Sequence, residues 1–177
     1  VNPDEVVVAA GSMPNTEGFQ QSTPASEISG FHLPHVYSPW DILGFGKVTK
    51  FNGPAVVYDD TGTFEAISIS DILLKKGLKV TMVGRSDSIG ARLPFPPVTA
   101  GAARERLYSG NFDFIGGHHL LAIEESRVEI GVMFTERTRK IDAYTVVFVG
   151  HNSPNRELWV SLKGNGPEIH MIGDVRG

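Results

Sequence analysis

Six residues, Asp59-Asp60-Thr61-Gly62-Thr63-Phe64, separate a run of apolar, strand-forming residues, Ala55-Val56-Val57-Tyr58, from a segment of helical periodicity that begins at Glu65. A turn from a buried strand into a helix suits anion chemistry, because the first helical amides have no partner within the helix and face whatever charge lies in front of them. In a pyrophosphate loop of the form G-x-G-x-x-G, the glycines let the backbone approach the anion and let the helix pack closely on the strand. Laid over that form, this chain places Asp59, Thr61 and Phe64 at the glycine positions, and Gly62 falls between them. Phe64 is expected to push the helix away from the strand, while Asp59 and Asp60 bring negative charge toward a negative ligand. A carboxylate about 5 Å from a phosphate, at an effective dielectric of about 20, costs roughly 3 kcal/mol, or about two decades of affinity. One helix N-terminus, worth about 0.3 to 1 kcal/mol, does not offset this.

The elements that hold this loop are legible on both sides of it. Ile67, Ile69, Ile72, Leu73 and Leu74 form a broad apolar helical surface, Glu65, Ser68, Asp71, Lys75 and Lys76 form the polar one, and Gly77 stands where a helix stops. Leu78-Lys79-Val80-Thr81-Met82-Val83 then reads as a second strand. Residues 55–83 thus have the length of one strand-helix-strand crossover, which makes the strands parallel and the crossover right-handed. Gly84 occupies the place where an acidic residue would hold an adenosine ribose, and Arg85 follows it. An arginine there favours a 2′-phosphate and hence NADPH; the plainer reading is a solvated loop arginine. Tyr58, Asp59, Asp60, Thr61, Gly62, Thr63 and Arg85 are therefore the candidate cofactor-binding residues of this unit.

Composition narrows the rest. The chain has 177 residues, 41% of them hydrophobic, a formal charge of −4 and no cysteine. That balance describes a globular protein with a sizeable core and lacks the basic field of a nucleic-acid binder. Without cysteine there are no disulfides, thiol nucleophiles or thiolate-held clusters within these residues. No apolar run approaches the roughly 20 residues that span a bilayer, and the N-terminus lacks the features of a secretion signal, so a cytoplasmic setting is expected.

Elsewhere the pattern is alternating α/β with one interruption. A strand at 4–8 runs into Gly11, residues 15–39 are irregular, and 40–45 form one or two helical turns. After a proline-rich loop at 85–97, residues 98–109 can be helical and 112–115 a short strand. Segments 119–125, 127–135 and 141–148 have the period and turn residues of a three-stranded antiparallel meander, with 136–140 as turn charges. The apolar run 143–149 also ends in a glycine, Gly150, and so echoes the opening strand. Asn155 is placed to cap a helix through Leu162, and 168–174 is a last strand ending in Gly173-Asp174. His118 and His119, adjacent on a strand, point to opposite faces and do not share a metal. Ser12, Ser68 and Ser153 lack a Gly-x-Ser-x-Gly context, and no residue is assigned a catalytic or metal-binding role.

Val6-Val7-Val8-Ala9-Ala10-Gly11-Ser12-Met13-Pro14, Tyr37-Ser38-Pro39-Trp40-Asp41-Ile42-Leu43, Val56-Val57-Tyr58-Asp59-Asp60-Thr61-Gly62, Pro154-Asn155-Arg156-Glu157-Leu158 and Ile172-Gly173-Asp174 stand in an order and spacing that resemble the carboxy-terminal half of the NADH:flavin oxidoreductases, the family of trimethylamine dehydrogenase and 2,4-dienoyl-CoA reductase. The resemblance implies an α/β fold: a Rossmann-like NAD(P)-binding domain with a parallel sheet and an antiparallel three-stranded meander, at 47–149, flanked by remnants of a second, FAD/ADP-type dinucleotide domain at 1–46 and 150–177. It assigns Ala10, Gly11, Gly150, Gly173 and Asp174 to cofactor-binding positions, Asp174 to the ribityl chain of FAD. It places FMN and an iron–sulfur cluster in a flavin barrel outside these residues, and NAD(P)H or ADP as the nucleotide ligand. The chain is then expected to be a nucleotide-binding fragment of a flavin-dependent oxidoreductase that does not catalyse turnover alone. The alternative is a ligand-free structural domain that packs against the flavin barrel or a partner subunit. A free-standing reductase is disfavoured for want of a recognisable substrate-side acid or base.

Overall fold

The structure is a computed structural model that describes residues 3–46, 50–164 and 166–177; Lys47, where the expected inserted domain begins, lies outside them. In chain order the elements are β1 (Glu5–Val8), β2 (Ser12–Met13), β3 (Val36–Tyr37), α1 (Pro39–Leu43), β4 (Ala55–Asp59), α2 (Phe64–Lys75), β5 (Val80–Gly84), α3 (Pro96–Thr99), α4 (Gly101–Tyr108) and β6 (Phe112–Ile115). There follow β7 (His118–Ile123), β8 (Arg127–Val132), β9 (Thr138–Asp142), β10 (Thr145–Val149), β11 (Ser153–Pro154), α5 (Glu157–Leu162) and β12 (Glu168–Met171), and then a 3-10 turn, Gly173–Arg176. They form two compact units, Thr16–His151 and Val1–Asn15 with Asn152–Gly177.

The larger unit is built on a parallel sheet of order β3-β10-β4-β5-β6. β4, β5 and β10 are buried along their whole length, which is why they read as near-continuous apolar runs rather than alternating ones. Alternation sorts their side chains between two cores. Ala55, Val57, Val80, Met82, Val147 and Val149 pack with Ile42 of α1, with Ala66, Ile69 and Leu73 of α2, and with Ala103 and Leu107 of α4. Val56, Tyr58, Val83, Val146 and Phe148 pack with Leu120, Ile123, Val128 and Ile130 of the antiparallel meander β7-β8-β9. The chain leaves β4 toward β5 and β6 on one side, while β10 and β3 lie on the other, so the order reverses between β4 and β10. In open α/β sheets the crevice at the carboxyl ends beside such a reversal is the usual ligand position.

Several expectations are corrected. The segment 141–148 is not one meander strand: the third is β9, which takes in three of the expected turn residues, and the chain crosses into the parallel sheet at Ala143 and Tyr144. Their amides bond to Ser126 O at 2.9 Å and Pro54 O at 2.8 Å. Phe64 is 48% exposed and lies outside the helix–sheet core, in which the fully buried Ala66 packs instead. The helix expected at 98–109 is divided at Ala100, and Arg156, not Asn155, occupies the N-cap of α5. The expected first segment 1–46 also divides differently, since β3 pairs with β10 and α1 packs on the larger unit's core.

In the smaller unit, β1 and β12 form a parallel pair in register from Glu5↔Glu168 to Val8↔Met171, and β2 pairs antiparallel with β11. Val8 and Val175 are buried, but Val7 is 57% exposed, and Leu158, Val160 and Ile172 are exposed too. Parallel strands normally have both faces covered, and a two-stranded sheet alone is marginal.

Candidate functional site: the loop at the carboxyl end of β4

Asp59 closes β4 in register with Gly84 of β5 on one side and Val149 of β10 on the other. The Asp60 amide then reaches Val149 O at 3.0 Å. Two of the loop's amides are taken by its own first residue: Asp59 Oδ1 accepts from Thr61 N at 3.1 Å and Gly62 N at 2.8 Å, and also from Thr61 Oγ1 at 3.0 Å, while Thr63, the N-cap of α2, makes no side-chain capping bond. Gly62 is required by its backbone, φ +69°, and Thr61 Oγ1 lies 2.9 Å from Thr63 Oγ1. Burial pushes the Asp59 carboxyl above the ordinary aspartate range, with the charge of Asp60 adding to it and the bonds from Gly62 and Thr61 opposing it. Glu65, in the first turn of α2, is raised by burial and then by Asp59.

Asp60 is buried as well, and it is fully engaged. Its Oδ2 accepts from Gln21 N at 2.9 Å, and its Oδ1 receives the Tyr58 hydroxyl at 3.4 Å and lies 3.2 Å from Arg85 Nε. Arg85 Nε also faces Asp60 O at 3.3 Å, and the Arg85 amide donates to Asp59 O at 3.1 Å. Arg85 is therefore not a solvated loop arginine; its side chain is 24% exposed and its charge is answered from within the loop. Burial pushes the Tyr58 phenol far up, and Asp60 adds to the effect. The loop carries the carboxyl groups of Asp59, Asp60 and Glu65, with Arg85 paired to Asp60 and Arg92 against Gly62, to whose O the Arg92 amide donates at 2.9 Å.

A segment that sequence reading passed over approaches the same place. Gln20 is buried and pairs with the Leu120 backbone, donating to its O at 2.6 Å and accepting from its N at 3.2 Å. That anchor sets Gln21 N against Asp60, while Gln21 Nε2 meets His151 Nε2 at 2.8 Å. Its partners lie 39 and more residues away in the chain, so no local motif marks it.

The structure thus brings Tyr58, Asp59, Asp60, Thr61, Gly62, Thr63 and Arg85 together, with Gly150 one residue past the neighbouring β10. Gly150 is tied to this place by space, since a Cβ would fall 2.5 Å from the Phe148 ring. Ala10, Gly11, Gly173 and Asp174 belong to the smaller unit. Gly11 and Gly173 have φ of +69° and +71° with open space around them, and Ala10 and Asp174 are exposed. His118 and His119 follow each other on β7; His118 Nδ1 lies 2.6 Å from Gly116 O, and burial lowers the pKa of His119. Among the described residues no helix is long and apolar enough to cross a membrane.

No protein-family model and no curated protein matches the chain. Solved structures do. A 6-hydroxypseudooxynicotine amine oxidase from Pseudomonas geniculata N1 superposes over 99% of this chain with a TM-score of 0.86 and 26% identity. Histamine dehydrogenase from Rhizobium sp. 4-9 covers 98% with a TM-score of 0.79 at 20% identity, and a 2-naphthoyl-CoA reductase covers 99% with a TM-score of 0.78 at 23% identity. The match takes up 26%, 26% and 24% of those chains respectively, so this chain spans about a quarter of each. Over nearly its whole length the chain is similar to the carboxy-terminal, FAD/NAD(P)-type region of the flavin-dependent oxidoreductases of the trimethylamine dehydrogenase type.

Proposed function

We propose that this chain is the dinucleotide-fold portion of a flavin-dependent oxidoreductase, and that its larger unit serves there as a structural domain, packed against the flavin-bearing part, rather than as a pyrophosphate site. One observation carries this reading: Asp59 Oδ1 already holds the amides of Thr61 and Gly62 that a pyrophosphate would need. Admitting a dinucleotide would turn that carboxylate out and leave it beside a phosphate, at a cost of roughly 3 kcal/mol. Arg85 cannot offset this with its full charge, because Asp60 answers it.

The residues present do not fit a bound NAD(P) at this loop, and no step is assigned to one. In the smaller unit the open, left-handed turns at Gly11 and Gly173 and the exposed Asp174 suit the edge of an FAD or ADP site. The two-stranded β1-β12 sheet does not complete it, for the strand-turn-helix that takes the pyrophosphate is not among the described elements. Hydride or electron transfer would be the work of flavin held elsewhere in the parent enzyme, with these units supplying position and surface.

A second reading, nucleotide binding by the larger unit, draws on the strand reversal beside β4 and on Arg85 at the end of β5. Calorimetric titration of the 177-residue chain with NADPH, NADH, ADP and FAD separates the two. The structural reading expects no saturable heat with NADPH or NADH up to millimolar concentration; micromolar binding of either would establish the second.

A further inference from the structure

We propose that Glu5, Glu168 and His170 form a site for a borderline divalent cation such as Zn²⁺, Co²⁺ or Ni²⁺, which clamps β1 to β12. The parallel register sets Glu5 opposite Glu168, and His170, two residues further along β12, projects from the same face as Glu168. His170 Nε2 lies 3.7 Å from Glu5 Oε2 and 3.8 Å from Glu168 Oε1, and the three donor atoms all fall within 4.8 Å of one another. Donors bound to such an ion at about 2.1 Å stand roughly 3.0 to 3.5 Å apart, so side-chain rotation of a few tenths of an ångström to about an ångström closes the set.

Two carboxylates held on one face repel each other, and among the described residues Glu5 and Glu168 both approach His170 Nε2. A divalent ion would neutralise both carboxylates at once, which one imidazole cannot do. The donor chemistry selects the class: imidazole with carboxylate suits zinc and its neighbours, whereas calcium and magnesium take oxygen alone. The three side chains are exposed, so solvent can complete the coordination. Because the ligands come from positions 5 and 168–170 of the chain, the ion would cross-link β1 and β12. The sequence hides this set, since Glu5 is brought to Glu168 and His170 only by the pairing of β1 with β12.

Calorimetric titration of the whole chain with ZnCl₂, repeated with CoCl₂ while following the visible d–d absorption, tests the proposal. One equivalent of ion is expected, with affinity falling at least about tenfold in His170→Ala and in Glu5→Gln and staying unchanged in His119→Ala. Paramagnetic Co²⁺ is expected to broaden the imidazole signals of His170 before those of the other histidines. Absence of saturable binding, or a site that survives His170→Ala, would overturn the proposal; circular dichroism of each variant separates lost ligands from lost fold.

Discussion

The consequential residue is Asp59, because it stands where a phosphate loop has a glycine and its carboxyl group holds the amides of Thr61 and Gly62. Its three bonds satisfy donors that would otherwise sit at the mouth of a buried turn. Asp59→Ala leaves the Thr61 and Gly62 amides without that acceptor and is expected to lower stability by about 1 to 3 kcal/mol in urea denaturation. The charge acts in the opposite direction. Burial raises the Asp59 and Glu65 carboxyls, so the native state holds their protons more tightly than the unfolded chain. The sign follows: their contribution to stability is fully present below the ordinary carboxyl range and is lost as pH rises through the raised values. Asp59→Asn, which keeps an acceptor oxygen without the charge, is expected to flatten that decline; denaturation midpoints measured from pH 4 to 8 check it, and an unchanged slope would assign the decline to other groups. Arg85 is the counter-charge of buried Asp60, so Arg85→Ala is expected to cost about 1 to 3 kcal/mol, the arginine's partial exposure keeping the loss below that of a fully buried pair. The double variant Asp60→Asn with Arg85→Ala should recover part of that loss.

At the scale of elements, the crossover from β4 through α2 to β5 carries the core, and Leu73→Ala, at a fully buried position, is expected to cost about 2 to 5 kcal/mol in thermal or chemical unfolding. This crossover was readable from the sequence because its signals are local: apolar runs for buried parallel strands, 3.6-residue periodicity for α2, and Gly77 to stop it. The meander was readable only in part. Apolar alternation continues through Ile141 and Val146 although the chain changes sheets between them, and periodicity cannot show a change of partner. A motif overlay fixes the position of Phe64 and not its direction; the residue is largely exposed and leaves the packing to Ala66. The loop's composition revealed its acidity, but not that Asp59 satisfies the loop from inside or that Gln21 reaches Asp60, since those contacts depend on turn geometry and on a partner far along the chain.

For the whole molecule, the two units differ in how completely they are built. The larger has a five-stranded sheet with both faces covered, whereas β1 and β12 pair only with each other among the described residues and leave Val7 exposed. Native-state hydrogen exchange is expected to show much weaker protection for Val6, Val7 and Val8 than for Val56, Val57, Met82 and Val147; equal protection would mean that the smaller unit is as stable as the larger. The similarity to flavin-dependent enzymes covers about a quarter of their length, and in the larger unit Asp59 holds the Thr61 and Gly62 amides while Asp60 answers Arg85. The most direct test is a residue-resolved NMR titration of the chain with NADPH, following the amides of Thr61 and Gly62 and the Arg85 side chain. A closed, structural loop predicts that these signals stay unmoved to millimolar NADPH and shift only when the Asp59 carboxyl titrates; saturable shifts at Thr61, Gly62 and Arg85 at micromolar NADPH would contradict it.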